Sequence, residues 1–225
     1  MVGHDSDDGQ APKREVVHFY VDASSLYYGL AARGWSHLAW LDVQRLCESF
    51  VHPWQELRTV KYFTSRLNDS LRRERVQAQS DHLDALRKCC RKTMIFYGRF
   101  HGNPSLCAAT GRSLHAPKEK RSDVNMAVSI IGDAMLGKAD VFCVLTGDSD
   151  LVPVFNTVRA LAGGRRIVAF FPPGRFSNHL KLVAHAHVMV GRSRIARCQL
   201  PDTVELRRGV AVSRPEIWTR RGTPA

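Results

Sequence analysis

The chain has 225 residues, 44% of them apolar, which suits one sizeable domain with a packed core and argues against global disorder. No run approaches the ~18 to 20 apolar residues a membrane helix needs, and the polar N-terminus, with Asp5, Asp7 and Asp8, lacks the basic-then-apolar pattern of a secretory signal, so a cytoplasmic location is the default expectation. The formal net charge of +12, from 33 basic against 21 acidic residues, favours polyanionic partners, nucleic acid first among them.

In chain order, residues 1–14 read as a disordered tail. Val16 to Val21 reads as a strand ending at Asp22, and Ser24 or Ser25 can cap a helix from Leu26 to about Arg33. Leu38, Leu41, Leu46 and Phe50 suggest a further helix closed by Pro53. Leu57 to Thr64 alternates well enough for a second strand. Asn68 can cap a long helix from Asp69 to about Arg91, with Leu71, Val76, Leu83 and Leu86 as a thin apolar stripe among basic residues. Thr93 to Phe100 is a third strand, and 101–121, with Gly102, Pro104, Gly111 and Pro117, reads as a long loop or hairpin excursion.

Ser122 is a good N-cap, with Asp123 in the first turn of a helix to about Leu136. Val124, Ala127, Val128 and Ile131 have the spacing of a buried face. A strand at 140–145 follows, then an acidic turn and a helix through Leu161, which Gly163 and Gly164 stop. Arg166 to Phe171 and His187 to Val190 are strands around a helix from Phe176 to Val183. The tail after residue 200 has little period. Strands alternating with helices predict an α/β sandwich around a mostly parallel sheet, with a domain over 15–192 and a C-terminal extension over 193–225.

The most informative run is Leu145-Thr146-Gly147-Asp148-Ser149-Asp150-Leu151, in which two acids follow directly on a buried strand. In an open parallel sheet, ligands and metals bind beyond the strands' carboxyl ends. Asp22 also ends an apolar strand, and Asp123 opens a helix that can be aimed at the same place. Four acids so placed, Asp22, Asp123, Asp148 and Asp150, suit a hard divalent cation such as magnesium or manganese acting on a phosphodiester. Taken singly, each acid reads equally well as a helix cap or a dipole partner. Their joint placement favours a site.

Around those acids the motifs become specific. Phe19-Tyr20-Val21-Asp22-Ala23-Ser24-Ser25-Leu26 resembles the opening motif of the NYN domain family of PIN-like ribonucleases, a strand followed by Asp-Gly-x-Asn-Leu. Lys120-Arg121-Ser122-Asp123-Val124 resembles the family's Lys-x-x-Asp-Val, and Thr146-Gly147-Asp148-Ser149-Asp150 with Pro153 resembles Ser-Gly-Asp-Ser-Asp-Phe. Val60 to Thr64 and Tyr97-Gly98 are similar to its second and third strands, so the likeness runs in order from residue 16 to about 192. It implies a PIN-like, three-layer α/β/α sandwich and metal-dependent cleavage of RNA, single-stranded RNA being the expected partner. Carried over by position, Asp22, Asp123, Asp148 and Asp150 are the catalytic and metal-binding acids, with Mg2+ or Mn2+ as the cofactor. Ser25, Lys120, Arg121 and Ser149 are the expected substrate contacts. Self-association of the chain is left open.

The chain departs from the family pattern at three places. Ser25 stands where Asn is usual, Ser129 where a second acid often follows Asp-Val, and His187 where an Ala-Asp pair is common. A catalytically weakened module that binds RNA or protein on the same fold is therefore the alternative. A phosphatase of the haloacid dehalogenase type would need Asp-x-Asp after the first strand, and Asp22-Ala23-Ser24 lacks it. His179, His185 and His187 lack a Cys or acid at zinc-ligand spacing. Tyr27, Tyr28, Trp35 and Trp40 can stack on bases but more often serve a core. The six cysteines, Cys47, Cys89, Cys90, Cys107, Cys143 and Cys198, form no CxxC pair and read as free thiols.

Overall fold

The computed structural model describes residues 14–67, 72–101, 105–106, 113–114, 118–120, 122–161 and 164–219, with 99–120 described by backbone alone. The expected tail, Arg121, Cys107 and the proposed cap Asn68 lie outside these residues.

Six parallel strands form the sheet: β1 (Glu15–Asp22), β2 (Gln55–Ser65), β3 (Thr93–His101), β7 (Val141–Leu145), β8 (Arg166–Phe171) and β9 (Ala186–Met189). Between β3 and β7 in the chain come the short β4 (Ser105–Leu106), β5 (Ser113–Leu114) and β6 (Lys118–Lys120). The sheet order is β6-β3-β2-β1-β7-β8-β9, with β6 antiparallel to β3, while β4 and β5 pair apart from it.

The central strand is buried on both faces, as parallel strands between helical layers must be. Val17, Phe19 and Val21 of β1 face one core, and Val16 and Tyr20 face the other. The first core holds Leu26 and Leu30 of α1 (Ala23–Ala32), Leu46 of α2 (Val43–Glu48) and Leu83 and Leu86 of α3 (Arg73–Cys89). The second holds Met126 and Ile130 of α4 (Ser122–Met135), Val154 and Phe155 of α5 (Val152–Ala160) and Leu180 of α6 (Asn178–Val183). This is the expected three-layer α/β/α sandwich, similar in fold class to PIN-like domains.

Three local expectations are corrected. The single helix foreseen around Leu38 to Phe50 is a 3-10 turn, Ser36–Leu38, and the short α2, because Leu41 bridges to Gln199 and Asp42 then caps α2. The inward face of α4 is Ser122, Met126, Ile130, Asp133 and Ala134; of the expected face, Ala127 and Ile131 pack partly buried against the same core, whereas Val124 and Val128 are 63% and 66% exposed. The helix carries two apolar stripes, and periodicity alone does not say which one meets the sheet. The tail after residue 200 forms a hairpin, β10 (Thr203–Arg207) with β11 (Val210–Ser213), and a 3-10 turn, Glu216–Trp218.

The C-terminal segment packs on the domain. Ile195 of α7 (Arg192–Arg197) and Trp218 enter the first core, and the indole of Trp40 donates to the Pro201 carbonyl at 2.7 Å. The five described cysteines are free thiols, four of them buried. Among the described residues no helix is long and apolar enough to cross a membrane.

Candidate functional site

β1 and β7 lie side by side and parallel, with Val21 opposite Leu145. From β1 the chain builds β2 and β3 on one side, and from β7 it builds β8 and β9 on the other. Their junction is therefore the switch point of the sheet, where the crevice beyond the strand ends opens. Asp22 ends β1, and Thr146, Gly147 and Asp148 follow β7 at the same edge.

Asp22 is only 6% exposed and has extended backbone, which lets its side chain cap α1. Its Oδ1 accepts from the Ser24 amide (3.0 Å), the Ser25 amide (3.1 Å) and the Ser24 hydroxyl (2.7 Å). Its Oδ2 accepts from the Thr146 hydroxyl at 3.0 Å. Thr146 is fully buried, and its Oγ1 in turn accepts from the Asp148 amide at 3.1 Å. One threonine hydroxyl thus ties the acid that ends β1 to the acid that follows β7. The Ser25 hydroxyl lies 3.4 Å from Thr146 Oγ1 and accepts from the Gly147 amide at 3.4 Å.

Asp148 is half-buried and caps the turn Ser149–Leu151 by accepting from the Asp150 amide at 3.0 Å. Ser149 and Asp150 are exposed on that turn. Gly147 is needed sterically, since a Cβ there would stand 2.7 Å from the carbonyl oxygen of Arg175. The same contact brings Arg175, an exposed cation absent from the sequence expectations, to the edge of the acidic turn.

The other expected residues are dispersed. Asp123 is exposed in the first turn of α4, and the amide of Asn125 donates to the Tyr97 carbonyl at 3.3 Å. That bond seats the start of α4 over the middle of β3, level with the end of β2 and two strands from β1. Lys120 lies on β6, opposite Arg99. His187 sits exposed on the outer strand β9, its ring 6.1 Å from that of Phe171 and 6.4 Å from that of Phe176. Nδ1 of His185 accepts from the Ile167 amide at 3.1 Å.

Ser129 has a different neighbour from the one its motif position suggests. It accepts from the Lys61 ammonium at 2.8 Å, and Lys61 pairs with the buried Asp133 at 2.6 Å. Asp133 also accepts from the Tyr20 hydroxyl at 2.8 Å and meets His18 Nδ1 at 3.4 Å. Burial works against the Asp133 charge, but hydrogen bonds from Lys61 and Tyr20 outweigh it and hold the carboxyl below its ordinary range. Burial, more than the carboxylate beside it, sets the His18 ring, lowering its pKa and favouring the neutral form. The His18–Asp133 contact at 3.4 Å is accordingly a hydrogen bond rather than an ion pair.

Among the described residues, no three His, Cys, Asp or Glu side chains come together as a metal-ligand set. The residues present do suit the looser mode in which magnesium is held by one or two carboxylates and completes its shell with water and substrate phosphate. Asp22 Oδ2 accepts from the Thr146 hydroxyl, whose oxygen accepts in turn from the Asp148 backbone amide.

A family profile described as the NYN domain matches residues 17–190. The chain is 27% identical over 237 aligned positions to 6-hydroxy-3-succinoylpyridine 3-monooxygenase HspA of Pseudomonas putida, covering 90% of this chain and 75% of that protein. It is similar in fold to a crystal structure of a protein of unknown function from Vibrio parahaemolyticus, with a TM-score of 0.51 at 16% identity, covering 81% of this chain and 97% of the other. Because the profile runs along the sheet from β1 to β9 and spans most of the sequence, the chain belongs to the NYN domain family.

Proposed function

We propose that the protein is a metal-dependent ribonuclease that hydrolyses phosphodiester bonds of single-stranded RNA at the edge where β1 and β7 end. The observation that carries this reading is the Thr146 hydroxyl joining Asp22 to Asp148 at the switch point of an NYN domain. A magnesium or manganese ion held by Asp22 and Asp148 would supply positive charge to the phosphate and ease deprotonation of the attacking water. The chain's own residues do the rest. Thr146 fixes the Asp22 carboxylate and the Asp148 backbone in one relation. Asp150, exposed on the turn that Asp148 caps, orients water and accepts its proton, while Asp123, exposed farther along the same edge, holds water beside a flanking phosphate. Ser25 and Ser149 offer hydroxyls to non-bridging oxygens, and Lys120, Arg121 and Arg175 hold flanking phosphates. The +12 net charge supports such a partner.

A second reading is RNA binding without cleavage. It draws on Asp22, whose two oxygens already take four hydrogen bonds from the protein, and on Ser129, which is engaged by Lys61. Labelled single-stranded RNA incubated with the pure protein separates the two. Fragments that form with manganese and vanish with EDTA are the nuclease outcome; retarded but intact RNA under every metal condition is the binding outcome.

A further inference from the structure

A cavity of about 140 Å3 opens between α1, the end of β2, α3 and the Glu216–Trp218 turn. Its walls are apolar and aromatic, with Leu30, Leu41 and Tyr62 on the domain side and Tyr27 and Trp218 facing each other at 6.3 Å between ring centroids. Ser24, whose hydroxyl donates to Asp22, also lines it, so the cavity adjoins the acidic edge. A cavity of about 150 Å3 in an apolar protein interior is enough to hold benzene. This volume therefore suits one six-membered ring and is small for a fused purine.

The polar groups of the lining narrow the ligand further. Trp218 is 5% exposed, and its indole N–H has no acceptor among the described residues. That N–H lies below the cavity surface, and the polar side chains of the lining, Thr64 and Gln79 among them, are those an acceptor on a ring can meet. His82, T-shaped against Trp218 at 5.7 Å, is held neutral by burial and donates from Nε2 to the Leu41 carbonyl at 2.9 Å, so it brings no charge. Among the described residues of the lining Arg75 is the one charged side chain, and it is exposed, which puts a cation on the solvent side.

We infer that this cavity binds a single six-membered heteroaromatic ring carrying a hydrogen-bond acceptor, with an anionic substituent directed to Arg75. A pyrimidine base of an RNA strand and a free aromatic compound of the same size share this chemistry. The inference goes beyond the nuclease reading and does not depend on it, because ring binding is measurable without cleavage.

Calorimetric titration of the full chain tests it, with uracil, uridine 5'-monophosphate and adenosine 5'-monophosphate as probes. The expected result is saturable binding of both pyrimidines and at least tenfold weaker binding of the adenine nucleotide. Ala39→Leu, which fills the cavity from its lining, should weaken both pyrimidines at least tenfold, and Trp218→Phe should weaken them severalfold. Arg75→Gln should weaken the nucleotide and leave uracil unchanged. Thermal unfolding of each variant confirms that it folds, and Trp218→Phe keeps the test open should Ala39→Leu not. Oligouridine that displaces the nucleotide points to an RNA base as the source; nucleotide binding that oligouridine leaves untouched points to a free ring. No binding of either pyrimidine at millimolar concentration, or binding indifferent to both cavity variants, overturns the inference. An intact cleavage activity beside that result would leave the nuclease reading standing.

Discussion

Thr146 Oγ1 donates to Asp22 Oδ2 at 3.0 Å and accepts from the Asp148 amide at 3.1 Å, all within a buried strand end. Thr146→Val keeps the shape and removes both bonds. It should lower stability by about 1–3 kcal/mol, read in denaturant unfolding, and reduce RNA cleavage more than that loss of folded protein explains. The acids are legible in the sequence because they interrupt apolar runs. Thr146 is not, since a threonine before a Gly-Asp turn looks like any strand end until β1 is seen beside β7. His82 gives a second residue-level test. Burial lowers its pKa to about 4, so the unfolded chain binds a proton that the folded chain refuses between about pH 6.5 and that value. Stability present above about pH 6.5 is therefore lost as the pH falls, by ~3 kcal/mol over the window. The buried His18 shifts in the same direction, and Asp133, held below its usual range, adds further loss at lower pH. In His82→Gln the slope of unfolding free energy between pH 6.5 and 4 should flatten.

At the scale of elements, α4 shows what a lone sequence conceals. Its outward stripe, Val124 and Val128, and its inward stripe, Met126 and Ile130, are equally apolar. The choice is fixed by Asp133, which faces inward to meet Lys61 of β2 and His18 and Tyr20 of β1, partners some 70 to 115 positions away in the chain. An acid on a helix reads as solvated until those partners are placed. Asp133→Ala would leave the Lys61 ammonium, whose side chain is 12% exposed, without its carboxylate. Its expected cost is about 3–5 kcal/mol in chemical denaturation, while the double variant Lys61→Met, Asp133→Leu should recover most of it. Equal destabilisation of the single and double variants would contradict this account of how α4 is seated. The strands were legible because parallel strands buried on both faces read as apolar runs. The β10–β11 hairpin was not, since its residues are largely exposed and carry no clear alternation.

For the whole molecule, the order of strands and helices carried the fold class, and the family match over residues 17–190 agrees with it. The geometry of the site was less legible: Thr146 joins the Asp22 carboxylate to the Asp148 backbone, whereas the start of α4, which carries Asp123, is seated on β3 through Asn125. The net charge of +12 predicts RNA binding that weakens with salt, the slope of log affinity against log salt being about −0.7 for each strand phosphate neutralised. Arg175→Ala should make that slope shallower by somewhat less than one unit while leaving thermal unfolding unchanged; an unaltered slope would remove Arg175 from the phosphate path. The most direct test of the central claim is the single-turnover rate of manganese-dependent cleavage of one labelled single-stranded RNA by the unaltered protein and by Asp148→Asn, which can still cap its turn. The expected result is a rate lowered by about a hundredfold or more at unchanged RNA affinity. Equal rates in the two proteins would contradict it.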